Sequence, residues 1–298
     1  MRISCYCLLV LILIGPTDSI AQSQDPVPGL LVPLTSADVT TRADGFYALM
    51  SFSKPSVSAK GSDLIHVGVA GLLANYPKDS PLIISALNQL LITENSDNAL
   101  SDLASGSDDE SPGDFYRDVV QAVVLLNDAS STPALVGAIS QGGMVPRALA
   151  GFGKNSLAYI LPLIYSTDDE QRDSAAYTLM QMIQPQYANL FHDQLSQSEI
   201  RAGLRSVIIL VSAPNAGFQY LAKTYTDALA SMPADPSGDL NGDGLVNCAD
   251  LAIIKASFGK SVGQAGFDIR GDVNGDGVVN IIDLSAEAKL LPSGTVCQ

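Results

Sequence analysis

The chain has 298 residues, of which 47% are hydrophobic and 16% are charged, so it can bury one large core or two smaller ones. Its 31 acidic and 16 basic residues give a formal net charge of −15, which argues against nucleic acid or an anionic membrane surface as a partner. The low charged fraction also excludes a charge-rich disordered chain.

Residues 1–21 have the features of a secretory signal peptide. Arg2 supplies a positive start, Cys5 to Gly15 form an apolar run, and Ser19-Ile20-Ala21 is typical of a cleavage site. The apolar run is too short to cross a membrane, and no later stretch is long enough. The sequence therefore predicts export to the periplasm, the cell surface or the medium, with no membrane span after signal removal.

The next two segments differ in composition. Residues 22–41 are rich in Pro, Ser and Thr and are predicted to form a flexible lead-in. From 42 to 230, apolar residues recur at helical spacing, as Ala175, Leu179 and Ile183 do. Gly, Pro, Ser and Asp separate the apolar clusters, and alternating strand-like runs are scarce. The sequence therefore predicts an all-α fold.

The helical region also shows signs of internal repeats. Arginines occur in successive apolar segments at intervals of 30, 25 and 29 residues, a range typical of stacked helix pairs. The clearest unit, Ile160 to Ile183, has an apolar segment, the acidic turn Asp168-Asp169-Glu170, and an Ala-rich second segment. This unit resembles a HEAT-type repeat, and the resemblance implies a binding or structural solenoid. An irregular α-helical domain remains the alternative.

Two polar segments interrupt the pattern. Ala104 to Asp114 is acidic and rich in Gly and Ser, and it is predicted to be a solvated loop. Residues 231–237 contain two prolines and are predicted to form a short semi-rigid linker before the last module, 238–298.

The last module contains the same twelve-residue pattern twice, and we call the two copies loop 1 (Asp239 to Asp250) and loop 2 (Asp272 to Asp283). Asp, Asn and Asp occupy positions 1, 3 and 5, Gly occupies position 6, and Asn and Asp occupy positions 9 and 12. Calcium is a hard cation that takes roughly six to eight oxygen ligands in flexible geometry, which this alternation supplies. The residue at position 7 is predicted to act through its backbone carbonyl. The predicted ligands are Asp239, Asn241, Asp243, Leu245, Asn247 and Asp250 in loop 1, and Asp272, Asn274, Asp276, Val278, Asn280 and Asp283 in loop 2.

The charges and glycines of the loops lead to two further expectations. Gly244 and Gly277 permit the sharp turn that position 6 requires. The three carboxylates of each loop repel one another without a cation, so the sequence predicts two bound Ca²⁺ ions and weak folding of the module without calcium.

The cysteines agree with export. Cys5 and Cys7 would leave with the signal peptide, so the mature chain keeps Cys248 and Cys297. An even pair in an oxidising compartment predicts one disulfide bond.

The tandem loops, each followed by a helix and closed by Asp rather than Glu, resemble a type I dockerin domain. The resemblance implies a dockerin-like module of two calcium loop-helix units that docks to a protein partner, in that family a cohesin. It also implies that positions 10 and 11 of each loop help to recognise the partner. These positions hold Cys248-Ala249 and Ile281-Ile282, where cellulosomal dockerins commonly have a polar Ser/Thr pair. The departure argues against a symmetric dual binding mode and against membership of a cellulosome.

The sequence contains no recognisable catalytic motif. It has two histidines, His66 and His192, and lacks HExxH, CxxC, G-x-S-x-G and P-loop patterns, as well as the Trp residues that commonly line sugar sites. We therefore expect a secreted calcium-binding protein whose tail docks to a partner and whose helical domain is a scaffold. The alternatives are a secreted polysaccharide-degrading hydrolase carrying a dockerin, and a structural protein whose calcium module only stabilises the C-terminus.

Overall fold

The computed structural model describes residues 25–52, 62–96, 112–213, 218–233 and 237–297. The predicted signal peptide lies outside these ranges, as do most of the predicted acidic loop and residues 234–236 of the predicted linker. Among the described residues, no helix is long and apolar enough to cross a membrane.

The described chain is all-α, which confirms the predicted fold class. Within the described ranges, extended pairing is limited to one isolated antiparallel bridge between Ser261 and Val278. The α-helices are α1 Val27–Leu31, α2 Val39–Phe52, α3 Ser62–Asn75, α4 Ser80–Ser96, α5 Pro112–Leu126, α6 Thr132–Gly137, α7 Met144–Gly151, α8 Leu157–Ile160, α9 Asp169–Met182, α10 Gln194–Ser212, α11 Ala222–Ser231, α12 Cys248–Ser257 and α13 Ile281–Ala288. Short 3-10 segments include Val32–Thr35, Leu161–Tyr165 and Ile269–Gly271.

One hydrophobic core extends from α1 to α11. Its largest fully buried side chains include Phe46, Tyr116, Phe191 and Tyr225. The helices pack mainly on near neighbours along the chain: α2 on α3, α4 on α5, α7 on α9, and α10 on α11. This order of packing is typical of stacked helical layers, and it supports the HEAT-like interpretation, which stays a prediction.

The segment predicted to be a flexible lead-in is instead partly helical and packed. Val27 and Leu34 are buried in the main core, and Leu30 and Leu31 pack against it. These residues recur at helical spacing, so their burial outweighs the Pro, Ser and Thr content on which the expectation of a loose segment was based.

The turn before α9 occurs a second time in the chain. A pattern Ser-x-Asp-x-x-x-Arg is found at 36–42 and at 166–172, each time after a 3-10 segment whose second residue is Pro. In both copies the Ser hydroxyl accepts a hydrogen bond from the Asp backbone N–H, at 3.1 Å. The Arg then donates from Nη1 to the Ser carbonyl, at 3.0 Å. The repeated turn supports a repeat origin for the helical part, although only the second copy was singled out from the sequence.

A second, smaller core lies in the C-terminal module. Leu240, Ile254 and Val279 are buried there, and Phe267 and Leu284 are among the residues that pack around them. The sequence-based division into a helical domain (42–230), a linker (231–237) and a C-terminal domain (238–298) stays a proposal that the two separate cores support, with the helical domain extended at its start to include the packed residues from Val27.

Helix α13 buries two acidic side chains and exposes apolar ones. Ile281 and Ala288 are exposed, whereas Asp283 and Glu287 are buried. Asp283 must close loop 2, and this requirement turns the polar i, i+4 pair inward.

The first prediction concerns the buried ion pair between Arg42 and Glu94. Arg42 Nε lies 2.5 Å from Glu94 Oε1, and both side chains are almost completely buried. Glu94→Ala would leave the Arg42 charge buried without this partner, so we expect a loss of about 3–5 kcal/mol in the free energy of unfolding, measured by urea denaturation. Asp227→Ala removes the exposed Lys223–Asp227 pair and should change stability little. Equal effects of the two substitutions would contradict the prediction.

Candidate calcium loops and docking surface

The two loops share the same backbone winding. Gly242 and Gly244 in loop 1 have φ values of 76° and 84°, and Gly275 and Gly277 in loop 2 have 71° and 83°. Glycine adopts these left-handed conformations without steric cost. The positive φ at position 6 agrees with the sharp turn expected of the glycine there. The glycine at position 4 has a positive φ as well. That glycine is present in both copies of the sequence pattern, but its role was missed.

The aspartate at position 1 is the centre of each loop. Asp239 accepts hydrogen bonds from the backbone N–H groups of Gly242, Asp243 and Gly244 at 2.7–3.1 Å. In loop 2, Asp272 accepts from Asp276 at 3.1 Å and from Gly277 at 2.8 Å. The loop backbone is therefore wound around a buried carboxylate.

The aspartate at position 12 closes each loop and caps the following helix. Asp250 Oδ1 accepts from the Leu240 and Asn241 N–H groups, and Oδ2 accepts from Asn247 N–H at 2.8 Å. The same contacts join Asp283 to Asn274 and Asn280. With the Asn at position 9 as N-cap, each pair forms a capping box for α12 or α13.

The side chains at positions 3 and 5 lie beside one another at the outer edge of each loop. Asn241 Nδ2 donates to Asp243 Oδ2 at 3.0 Å, and Asn274 Nδ2 donates to Asp276 Oδ2 at 2.9 Å. Asp243 and Asp276 are exposed. The backbone N–H at position 7 also donates to the position-5 aspartate in both loops, so local hydrogen bonds tie together all six predicted ligand positions.

The donor set fits calcium in its chemistry. Each loop offers three carboxylates, two side-chain amides and a backbone carbonyl, all hard oxygen donors. In the described part of the chain, no three His, Cys, Asp or Glu side chains are gathered into a metal-binding cluster. The agreement with calcium therefore comes from the oxygen donors and from the glycine winding that both loops share.

Loop 2 makes a contact with the helical domain that the sequence did not indicate. Tyr165 Oη donates to Asp272 Oδ2 at 2.6 Å, and its ring packs edge-on against Phe267 with a centroid distance of 5.9 Å. Burial, and next the neighbouring Asp272 charge, raise the pKa of Tyr165, so it remains a neutral donor. Burial raises the pKa of Asp272, and the hydrogen bonds from Tyr165 and Gly277 oppose that rise. Tyr165 and Asp272 are separated by 107 positions along the chain, so their pairing could not be predicted from the sequence.

A buried acid next to loop 1 was also missed. Glu287 is fully buried, and neither of its carboxylate oxygens has a hydrogen-bond partner within the described structure. Burial, and next the charge of Asp250, raise the pKa of Glu287 to about 7, while Arg205 of the helical domain opposes the rise. Its position four residues after Asp283 is the sequence signal that could have placed it on the inner face.

The residues at positions 10 and 11 are accessible but differ between the loops. Ile281 and Ile282 are 60% and 57% exposed, which is unusual for adjacent isoleucines. At the matching positions of loop 1, Ala249 is exposed and Cys248 forms the predicted disulfide with Cys297. The bond closes a loop of about 50 residues, for which the chain-entropy model gives about 4 kcal/mol of stabilisation.

The histidines and the acidic turn have ordinary structural roles. His66 is exposed, and the exposed His192 ring lies 2.7 Å from the Asn189 carbonyl oxygen through Nδ1. Asp168 is the N-cap of α9, and Asp169 pairs with Arg172.

The second prediction concerns the pH dependence of stability through Glu287. The pKa in the folded state, about 7, lies above the ordinary value of 4.5. Below pH 4.5 the acid is protonated in both states; as pH rises from 4.5 to 7 the unfolded state ionises while the folded state keeps its proton, so the folded state loses stability until both states are ionised. Glu287→Gln removes this cost, so in chelator its stability relative to wild type should rise between about pH 5 and 7 by on the order of 1–3 kcal/mol.

Urea midpoints from pH 4 to 8 measure this difference, and Asp227→Asn, at an exposed site, is the control. If the urea midpoints of wild type and Glu287→Gln change with pH in parallel, burial of the Glu287 charge does not cause the pH dependence.

Comparison with known proteins identifies the C-terminal segment. No curated protein and no solved structure matches the chain. The model of the dockerin type I domain family matches residues 237–291, which include both loops and the helices that follow them. The match supports a calcium-binding and protein-docking role for this segment in general. The C-terminal part of the chain is therefore a type I dockerin domain.

Proposed function

We propose that the chain is an exported calcium-binding protein whose dockerin domain holds two Ca²⁺ ions and docks to a cohesin-like protein, while the helical domain acts as a scaffold. The observation that carries the proposal is the exposed pair Ile281-Ile282 at positions 10 and 11 of a dockerin loop. An apolar pair kept at the surface of an otherwise packed domain is typical of a binding site.

The two ions would be held by the same positions in each loop. Bound calcium supplies positive charge that offsets the repulsion among the loop carboxylates. The protein contributes the winding that brings the backbone around Asp239 and Asp272, and it contributes Asp250 and Asp283, which tie each loop to its helix. Because those contacts organise both the loop and the helix start, metal binding and folding of the domain are expected to be coupled.

The docking surface is proposed to be one-sided. Ile281 and Ile282 begin α13 and are exposed, whereas Cys248 at the corresponding position of α12 is covalently joined to Cys297. Of the two loop-helix units, only the second therefore offers a partner two adjacent apolar side chains at the start of its helix. The asymmetry supports a single binding orientation.

The disulfide and the helical repeats support the remaining parts of the proposal. Disulfides persist in oxidising compartments, which agrees with a protein that is periplasmic, on the cell surface or secreted. The repeated Ser-x-Asp-x-x-x-Arg turn and the sequential packing of the helices agree with a HEAT-like scaffold. Such scaffolds present extended surfaces for binding.

The third prediction tests calcium binding by calorimetric titration of the mature chain. Wild type should bind two ions, Asp239→Ala and Asp272→Ala should each bind one, and the double variant should bind none, because each substitution removes the carboxylate around which a loop is wound. Asp227→Ala, an aspartate outside the loops, should keep both sites. The absence of binding at millimolar calcium would overturn the proposal.

The fourth prediction tests docking with a purified type I cohesin domain in a surface-plasmon assay. Wild type should bind in calcium and release the cohesin in chelator, and Ile281→Asp/Ile282→Asp should weaken binding about tenfold or more by placing charge in an apolar contact. Leu82→Asp, at an exposed apolar residue of α4, is the matched control and should bind normally. If calcium-loaded wild type does not bind the cohesin domain, the proposal of a cohesin-like partner is contradicted and a purely structural role for the dockerin domain is favoured.

A further inference from the structure

Helix α10 of the helical domain lies against both calcium loops at equivalent positions. A Cβ atom on Gly242 would lie 3.3 Å from the Gln194 carbonyl oxygen, and one on Gly275 would lie 3.0 Å from Ile209 Cδ1. Both glycines occupy position 4 of their loop. Since Gln194 and Ile209 are near opposite ends of α10, the dockerin domain rests along the length of this helix with both loops facing it.

The two loops differ in the hydrogen bonds that the aspartate at position 1 accepts. Within the described residues, Asp239 accepts hydrogen bonds from the loop 1 backbone. Asp272 accepts from its own loop and also from Tyr165 of the helical domain, at 2.6 Å. Loop 2 therefore has a donor from outside the dockerin domain on a predicted calcium ligand.

The Tyr165 hydroxyl is itself held in place. It lies 3.2 Å from Ser206 Oγ on α10, and its ring contacts Phe267 in the segment between the loops. A Cβ on Gly277 would lie 3.4 Å from Tyr165 Cδ1, so the ring also packs against the backbone of loop 2. Residues of both the helical domain and the dockerin domain therefore hold the Tyr165 side chain in place.

We propose that Tyr165 is a positioning residue for the calcium site of loop 2, and that occupancy of this site is coupled to packing of the dockerin domain on the helical domain. The inference rests on the proposed calcium function. Hydrogen bonds to a ligating carboxylate orient it, and their loss typically lowers metal affinity about 10–100-fold. Linkage is reciprocal, so calcium in loop 2 must strengthen the contact that Tyr165 makes by the same factor.

The test separates the two loops in the full mature chain. In an Asp239→Ala background only loop 2 titrates with calcium, and there Tyr165→Phe should weaken binding about tenfold or more while keeping the ring that packs on Phe267. In an Asp272→Ala background only loop 1 titrates, and there Tyr165→Phe should leave the affinity unchanged. Tyr159→Phe removes the hydroxyl of a half-exposed tyrosine in α8 and is the matched control in both backgrounds.

The reciprocal effect is measured by hydrogen–deuterium exchange of the segment Leu161–Tyr165. In the Asp239→Ala background, calcium should slow exchange in this segment, and Tyr165→Phe should abolish most of that slowing. A positioning role predicts this change in the helical domain, whereas a purely structural role of the hydroxyl does not.

The outcomes are distinguishable. If Asp239→Ala protein binds no calcium, the two-site proposal fails and this inference falls with it. If loop 2 binds calcium equally well with and without the Tyr165 hydroxyl, or if Tyr165→Phe weakens both loops alike, the proposed function stands and the coupling is overturned.

Discussion

The dockerin domain depends on the hydrogen bonds between a buried aspartate at position 1 and the backbone of its own loop. Asp239 and Asp272 each draw several N–H groups inward, and glycines with positive φ at positions 4 and 6 make that winding possible. The aspartate at position 12 then joins the end of the loop to its start and caps the next helix. The fold of each unit is thus organised by carboxylates rather than by its small apolar core.

This organisation concentrates negative charge where little water can reach it. Asp239, Asp250 and Glu287 are buried near one another, and Glu287 has no hydrogen-bond partner in the described structure. Buried charges of one sign are costly unless they are neutralised or paired. Calcium bound in the loops, as proposed above, would offset that cost, and burial of the carboxylate also raises the pKa of Glu287.

The two loops are alike in local structure and unlike in their surroundings. Loop 1 leads into a helix whose first residue is tied to the C-terminal segment by a disulfide, whereas loop 2 is contacted by Tyr165 and leads into a helix that begins with two exposed isoleucines. The helical part likewise contains the Ser-x-Asp-x-x-x-Arg turn twice, and the arginine has a different partner in each copy. Arg42 pairs with the distant, buried Glu94, and Arg172 pairs with the nearby Asp169. In both cases the copies share short-range hydrogen bonds and differ in their long-range contacts.

The local features were open to prediction because each is encoded within a dozen residues. The helical spacing predicted the all-α fold, the two Asp/Asn/Gly patterns predicted the loops and the dockerin family, and the cysteine count predicted the disulfide. Composition was a weaker guide: the segment from Val27 to Leu34 is rich in proline, yet its apolar spacing places it in the core. Here burial of apolar surface outweighed local propensity.

The contacts between residues far apart in the chain could not be predicted in the same way. The sequence encodes the winding of each loop locally, since the Asp, Asn and Gly residues that produce it are neighbours along the chain. It did not determine that Tyr165 would reach Asp272, that α10 would lie against both loops, or that Glu287 would turn inward while Ile281 turned outward. Those contacts follow from how the helices pack on one another, and packing depends on side chains that are far apart in sequence.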